Sequence, residues 1–140
     1  MKLIHCADIH LDSPMQTHMT AQQASVRNTE MLQSFVRLTE FAQERAVRAV
    51  LIAGDLFDGA RVRARTVDAL LAAIRRTPEV DYLYLPGNHD DAANAFCDCA
   101  LPGNLKLFGK TWSTVQYDGI AISGVQLGLD AAFYEALPHT

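Results

Sequence analysis

The ten residues AVLIAGDLFD, at positions 49–58, are the part of the sequence that decides the fold. The first five are apolar throughout, which is typical of a strand that is covered on both faces of a sheet. Gly54 then ends the apolar run, and the carboxylates Asp55 and Asp58 follow at once. A buried strand that ends in closely spaced carboxylates predicts a polar site at the carboxyl edge of a parallel sheet.

Similar elements are expected on either side of this strand. Two further short apolar runs predict strands: residues 2–7 and 82–85. Two segments between the strands have the apolar spacing of helices: residues 21–46 and 61–76. The order strand, helix, strand, helix, strand predicts a parallel sheet with right-handed crossovers. Three short strands are expected after it, with Asp118-Gly119 as a hairpin turn between the last two: residues 105–108, 114–117 and 120–125.

Polar residues follow each of the first three strands. In chain order these residues are Asp8 and His10, then Asp55 and Asp58, then Asn88, His89 and Asp90. Because the carboxyl ends of parallel strands share one edge of a sheet, the three groups should converge in space. Carboxylate, imidazole and amide donors together suit manganese, iron or zinc. A carboxylate such as Asp55 can bridge two cations, an arrangement that suits displacement at phosphorus. His89 is placed to protonate the leaving oxygen or to stabilise the transition state.

Composition limits the alternatives. A chain of 140 residues is long enough for one domain and too short for two ordinary ones. Its net charge of −4 argues against a simple nucleic-acid-binding module, but not against an enzyme that meets phosphate through bound cations. No apolar run approaches the roughly 20 residues of a membrane span. Three cysteines without framework spacing argue against a disulfide scaffold, so the cytoplasm is the expected location.

Three motifs, taken together, resemble a known family. DIH at 8–10, GDLFD at 54–58 and GNHD at 87–90 resemble the first three motifs of calcineurin-like metallophosphoesterases. Residues 5–14, HCADIHLDSP, further resemble the start of SbcD-like DNA repair exonucleases. The resemblance covers about residues 1–125. It implies an α/β fold: a partial four-layer sandwich, whose parallel βαβαβ half is followed by short antiparallel strands. Residues 1–140 would then form the N-terminal part of one domain.

The resemblance also implies a site. Asp8 and His10 would bind the first of two divalent cations, Asp55 would bridge both, and Asn88 would bind the second. Mn²⁺ is the first choice of metal, with Mg²⁺, Fe²⁺ and Zn²⁺ as alternatives. His89 corresponds to the catalytic histidine of the family. Asp58, a second candidate catalytic residue, occupies a motif position that some relatives fill with His. An ionised carboxylate there cannot donate a proton, so its role is left open.

One further residue, Arg61, is a candidate for phosphate contact, although arginines there are more simply explained as solvated surface. The leading hypothesis is metal-dependent phosphodiester hydrolysis by a DNA repair nuclease subunit. The resemblance implies DNA as substrate, a homodimer in the full-length form, and a coiled-coil ATPase partner of the SbcC type. The alternatives are a general phosphoesterase for small substrates and a non-catalytic truncated domain. The family completes its site with later histidines that this sequence ends before, so the chain alone is expected to bind metal weakly and to hydrolyse little.

Overall fold

The computed structural model describes residues 1–13, 19–58, 62–87, 90, 95–96 and 99–126. Its helices and strands, in chain order, are β1 (Leu3–Cys6), α1 (Ala21–Glu44), β2 (Ala49–Ala53), α2 (Ala64–Arg75), β3 (Asp81–Leu85), β4 (Leu105–Leu107), β5 (Ser113–Tyr117) and β6 (Ile120–Gly124). In the described part of the chain, no helix is both long enough and apolar enough to cross a membrane.

Strands β1 to β4 form one parallel sheet in the order β1-β2-β3-β4. Ile4 lies beside Val50, Val50 beside Tyr82, and Tyr82 beside Leu105. The α/β class and the parallel βαβαβ order are therefore confirmed. One detail is corrected: β4 is parallel to β3, so the antiparallel part begins one strand later than expected. It consists of β5 and β6, which pair as a hairpin around Asp118-Gly119.

Each face of the sheet is covered by different elements. Val50, Ile52 and Tyr82 point toward a core that also contains Phe35 of α1 and Leu70 of α2, so both helices pack on this face. On the opposite face a second cluster joins the sheet and Phe108 to the hairpin: Ala49, Leu83, Phe108, Val115, Tyr117 and Ile122. The continuous apolar run of β2 is explained by this double cover.

The helix ends have local causes. α1 begins with a capping box, in which the Thr20 hydroxyl accepts from the Gln23 N–H at 3.2 Å and the Gln23 side chain accepts from the Thr20 N–H at 3.0 Å. After α1, Ala46 has a φ of 52° and the Val47 N–H donates back to the Ala42 carbonyl. α2 begins at Ala64, later than the expected residue 61, because the N-cap residue, Arg63, is extended.

Candidate metal centre

The loops that follow β1 and β2 run side by side beyond the ends of the strands. Three backbone N–H groups of the first loop donate to three carbonyls of the second: Asp8 to Gly54 at 3.2 Å, His10 to Asp55 at 3.0 Å and Leu11 to Leu56 at 2.8 Å. Leu11 and Leu56 are almost completely buried. The parallel pairing of the sheet is thus extended into the loops, and the polar side chains between these anchors are held at one edge.

Asp8, His10 and Asp55 form a group of three possible metal ligands whose donor atoms all lie within 4.8 Å of one another. Nε2 of His10 is 3.7 Å from Oδ1 of Asp8 and 3.9 Å from Oδ2 of Asp55. The Asp8 side chain is 74% exposed and that of Asp55 only 19%, so the group is open to solvent on the Asp8 side. Two carboxylates and one imidazole fit a divalent manganese, iron or zinc ion. The expected convergence of the first two loops is observed.

The third loop approaches the second through two glycines. The Gly54 N–H donates to the Leu85 carbonyl at 2.8 Å, and Gly54 has a φ of 82°. A Cβ atom added at Gly87 would lie 2.6 Å from Oδ1 of Asp55 and 2.8 Å from its backbone nitrogen. Only a glycine fits there without a shift of the Asp55 loop, so Gly87 is part of what places the Asp55 carboxylate.

Asp90 fastens the same two loops together. Its Oδ1 accepts from the Phe57 N–H at 2.7 Å, and its Oδ2 accepts from the Gly87 N–H at 2.8 Å. Both are charge-assisted hydrogen bonds of good length. Sequence reasoning placed Asp90 among the converging polar residues but gave it no role. The only signal was its position at the end of GNHD, and the structure shows it as a brace between loops.

The other side of the His10 ring faces Asp58. Nδ1 of His10 is 3.5 Å from Oδ2 of Asp58, and the Ser13 hydroxyl donates to the same Oδ2 at 2.8 Å. Asn28 of α1 donates from Nδ2 to the Ser13 carbonyl at 3.1 Å. Asp58, expected as a catalytic candidate, therefore lies next to a candidate metal ligand. Ser13, which sequence reasoning included only in the stretch at 5–14, lies next to Asp58.

A model of the calcineurin-like phosphoesterase family matches residues 1–131. The chain belongs to this family. Among curated proteins it is similar to the DNA double-strand break repair protein Mre11 of Methanopyrus kandleri, with 30% identity over 95 residues. That alignment covers 64% of this chain and 19% of the Mre11 protein, so the chain spans about a fifth of the length of this relative. The family match agrees with the α/β fold and with a candidate metal site at Asp8, His10 and Asp55.

An ion pair between a buried carboxylate and a part-exposed guanidinium ties the first loop of this phosphoesterase domain to the start of α2. The Arg63 guanidinium lies 2.7 Å from Oδ1 of Asp12, and the Arg63 backbone N–H donates to Oδ2 at 2.9 Å. The Asp12 side chain is 5% exposed. Burial alone would raise the pKa of Asp12, but the hydrogen bonds from Arg63 and Thr66, together with the charge of Arg63, hold the pKa below its usual value. Arg63 is thus engaged within the fold.

Tyr84 lies in the core of the phosphoesterase domain, near the site carboxylates. Its side chain is completely buried. Burial raises the pKa of its hydroxyl well above the ordinary value, and the charges of Asp90 and Asp55 raise it further. The hydroxyl therefore stays protonated and neutral. Sequence reasoning counted Tyr84 as a strand residue only, because nothing local distinguishes it from Tyr82.

Three predicted site residues lie outside the described residues: Asn88, His89 and Arg61. Their predicted roles, as metal ligand, catalytic histidine and phosphate contact, stay predictions. Gly87 and Asp90, on either side of Asn88 and His89, are described. Both contact the loop that carries Asp55, so the third motif begins and ends beside the candidate metal centre.

Proposed function

We propose that this phosphoesterase domain hydrolyses phosphodiester bonds in DNA with the help of two divalent cations, Mn²⁺ first among them. The observation that carries the proposal is the group formed by Asp8, His10 and Asp55, whose donor atoms all lie within 4.8 Å of one another. The proposal of DNA as substrate draws support from the similarity to a protein named for DNA double-strand break repair.

The charge of the chain explains why cations are needed. With a net charge of −4, the chain has no overall field that attracts a phosphate backbone. Asp8 and Asp55 add negative charge at the site itself. Divalent cations held there would more than neutralise these carboxylates, and would supply Lewis acidity toward phosphoryl oxygens and an acidified water. In this proposal Asn88 completes the second cation site, and His89 gives a proton to the leaving oxygen.

The wider assembly belongs to the same proposal. A homodimer and a coiled-coil ATPase partner of the SbcC type follow from the resemblance of residues 5–14 to SbcD-like nucleases, and a cytoplasmic setting follows from the cysteine content. Arg61 is proposed as a phosphate contact. Arg63 is a poor candidate for the same role, because its guanidinium is paired with Asp12.

The test compares three forms of the 140-residue chain: the parent, Asp55→Asn and Asp118→Asn. Asp118 lies in the exposed hairpin turn, where Asn before Gly is equally favourable, so it is a matched loss of charge. Mn²⁺ binding is measured by calorimetry, and hydrolysis with labelled single-stranded DNA and with bis-p-nitrophenyl phosphate. For this chain we expect weak Mn²⁺ binding and slow Mn²⁺-dependent cleavage of DNA, both of which Asp55→Asn should lose and Asp118→Asn should keep.

Two results separate the alternatives. Hydrolysis of bis-p-nitrophenyl phosphate that excess single-stranded DNA does not inhibit would favour a general phosphoesterase. Mn²⁺ binding without cleavage of either substrate at any Mn²⁺ concentration would favour a non-catalytic domain. Equal Mn²⁺ affinity in the parent and in Asp55→Asn would overturn the proposed site.

A further inference from the structure

We infer that Ser13 and Asp58 are positioning residues, which set the orientation and the tautomer of His10 so that its Nε2 is the atom offered to a cation. The inference rests on the proposed function, since it assigns residues that support the metal site. It gives Asp58 a role that needs no proton donation from a carboxylate. It also gives Ser13 a role that the three motifs do not include.

The two nitrogens of the His10 ring face different groups. Nε2 is 3.7 Å from Asp8 and 3.9 Å from Asp55, whereas Nδ1 is 3.5 Å from Oδ2 of Asp58. A neutral imidazole carries a proton on one ring nitrogen, and only the other nitrogen has a lone pair that can bind a metal. A carboxylate beside Nδ1 favours the proton there, which leaves the lone pair of Nε2 for the cation. Carboxylate–histidine pairs commonly orient metal ligands in this way.

Asp58 is itself held in place from two sides. The Ser13 hydroxyl donates to Oδ2, the carboxylate oxygen that faces His10, at 2.8 Å. The main-chain carbonyl of Ser13 accepts a hydrogen bond from Nδ2 of Asn28 in α1 at 3.1 Å. Leu11 follows His10 and Phe57 precedes Asp58 in the chain; these two residues pair as a parallel β-bridge, and both are completely buried. The backbone that carries His10 and Asp58 is therefore anchored in the core, and the Ser13 hydrogen bond restricts the rotation of the Asp58 carboxylate.

Among the described residues, three carboxylates lie within 4 Å of a His10 ring nitrogen, and they favour different tautomers. Asp8 and Asp55 face Nε2 and favour a proton on that nitrogen. Asp58 faces Nδ1 at the shortest of the three distances. Removal of Asp58 should shift the proton toward Nε2, and removal of the Asp8 charge should shift it toward Nδ1. If Asp58 had a merely structural role, its removal would not shift the proton from Nδ1 to Nε2.

The experiment measures the tautomer directly in the metal-free chain. Long-range ¹H–¹⁵N spectra of histidine-labelled protein are recorded at about pH 8, where ordinary imidazoles are neutral. His10 is assigned from the signal that disappears in His10→Gln. We expect more Nε2–H tautomer in Asp58→Ala, a smaller shift in the same direction in Ser13→Ala, and the parent value in Ser13→Thr. Asp8→Asn should shift the equilibrium the other way. Ser34→Ala, which removes an exposed hydroxyl of α1, is the matched control.

A second readout is the affinity for Mn²⁺ by calorimetry. Loss of the group that orients a metal-binding histidine should weaken binding about 10- to 100-fold in Asp58→Ala. Ser13→Ala should weaken it by a few-fold, and Ser13→Thr should restore it. An unchanged His10 tautomer in both Asp58→Ala and Ser13→Ala overturns the inference. If the parent binds no Mn²⁺, the proposed function fails while the tautomer measurement still decides this inference. If Asp58→Ala does not fold, the comparison of Ser13→Ala with Ser13→Thr tests the inference by itself.

Discussion

Replacement of Gly87 by alanine tests the closest approach in the candidate metal centre. The new Cβ would meet Oδ1 of Asp55 at 2.6 Å, the Asp55 nitrogen at 2.8 Å and the Gly54 Cα at 3.0 Å. The last two atoms are backbone and cannot rotate away. They cannot shift freely either, because the Gly54 N–H donates to the Leu85 carbonyl at 2.8 Å. Overpacking of this kind costs about 1–3 kcal/mol, which corresponds to several degrees in the melting temperature of a domain of this size.

Two other glycines supply matched controls for the Gly87→Ala variant. A Cβ at Gly103 has no atom within 4 Å, so Gly103→Ala should change stability by no more than about 0.5 kcal/mol. A Cβ at Gly124 would meet the Phe108 ring at 2.7 Å. Gly124→Ala should therefore destabilise the chain, but Gly124 ends β6 and its new contact is with Phe108, away from the loop that carries Asp55.

The assay pairs urea denaturation, followed by circular dichroism, with calorimetric titration of Mn²⁺ into each folded variant. Gly87→Ala should lose both stability and Mn²⁺ affinity, because the contact displaces the Asp55 carboxylate. Gly124→Ala should lose stability alone, and Gly103→Ala neither. If Gly87→Ala unfolds at the same urea concentration as Gly103→Ala, the close approach is refuted. If it is destabilised but binds Mn²⁺ like the parent, Gly87 does not place a metal ligand.

Four further predictions concern stability. Asp12→Asn and Arg63→Ala should show a coupling free energy of about 1–2 kcal/mol in a double-mutant cycle, reduced by the partial exposure of Arg63; additivity would contradict the ion pair. Because the pKa of Asp12 is lowered, its stabilisation is present above about pH 4 and lost as the pH falls through the lowered value, so Asp12→Asn should flatten the acid limb of stability measured by urea denaturation. Ala46→Gly should raise stability by about 0.5–1 kcal/mol, measured as a higher melting temperature, because Ala46 has a φ of 52°. Burial, followed by the hydrogen bond to Asp81, raises the pKa of Tyr117, so stability should fall as the pH rises above about 10, and less steeply in Tyr117→Phe; equal slopes in urea midpoints would contradict this.

The sheet could be predicted from the sequence because its signals are local. The apolar run at 49–53 coincides with β2, the run at 2–7 extends one residue beyond β1 at each end, and the run at 82–85 starts one residue later than β3. Once the strands are parallel, the edge that carries the polar loops follows without further information. The direction of β4 did not follow. Strand β4 has only three residues, and its alignment with β3 depends on where the chain returns to the sheet after the third loop.

The connections between loops could not be predicted, because they join residues that are distant in sequence. Ser13 and Asp58 are 45 positions apart, and Asp12 and Arg63 are 51 positions apart. No periodicity or spacing signals such a pair. The late start of α2 has the same origin: the N–H of Arg63, an extended N-cap residue, is already bound to Asp12. The residue types of the site were visible in the sequence, whereas the residues that hold them were not.

The backbone conformation also favours aspartate at three positions of the first two loops. Asp8, Asp12 and Asp55 have φ values of 53°, 56° and 52°, in the left-handed region that most non-glycine residues avoid. Asp and Asn tolerate it because their short polar side chains can bond locally. At each of these positions aspartate is therefore favoured by the backbone conformation as well as by its charge. Substitutions can separate the two effects. Asp55→Asn removes the charge and keeps the backbone preference, whereas Asp55→Ala removes both. In urea denaturation Asp55→Ala should be about 1 kcal/mol less stable than Asp55→Asn, with Mn²⁺ binding lost in both. Equal stabilities would show that the left-handed backbone places no demand on this residue, and that its selection is chemical alone.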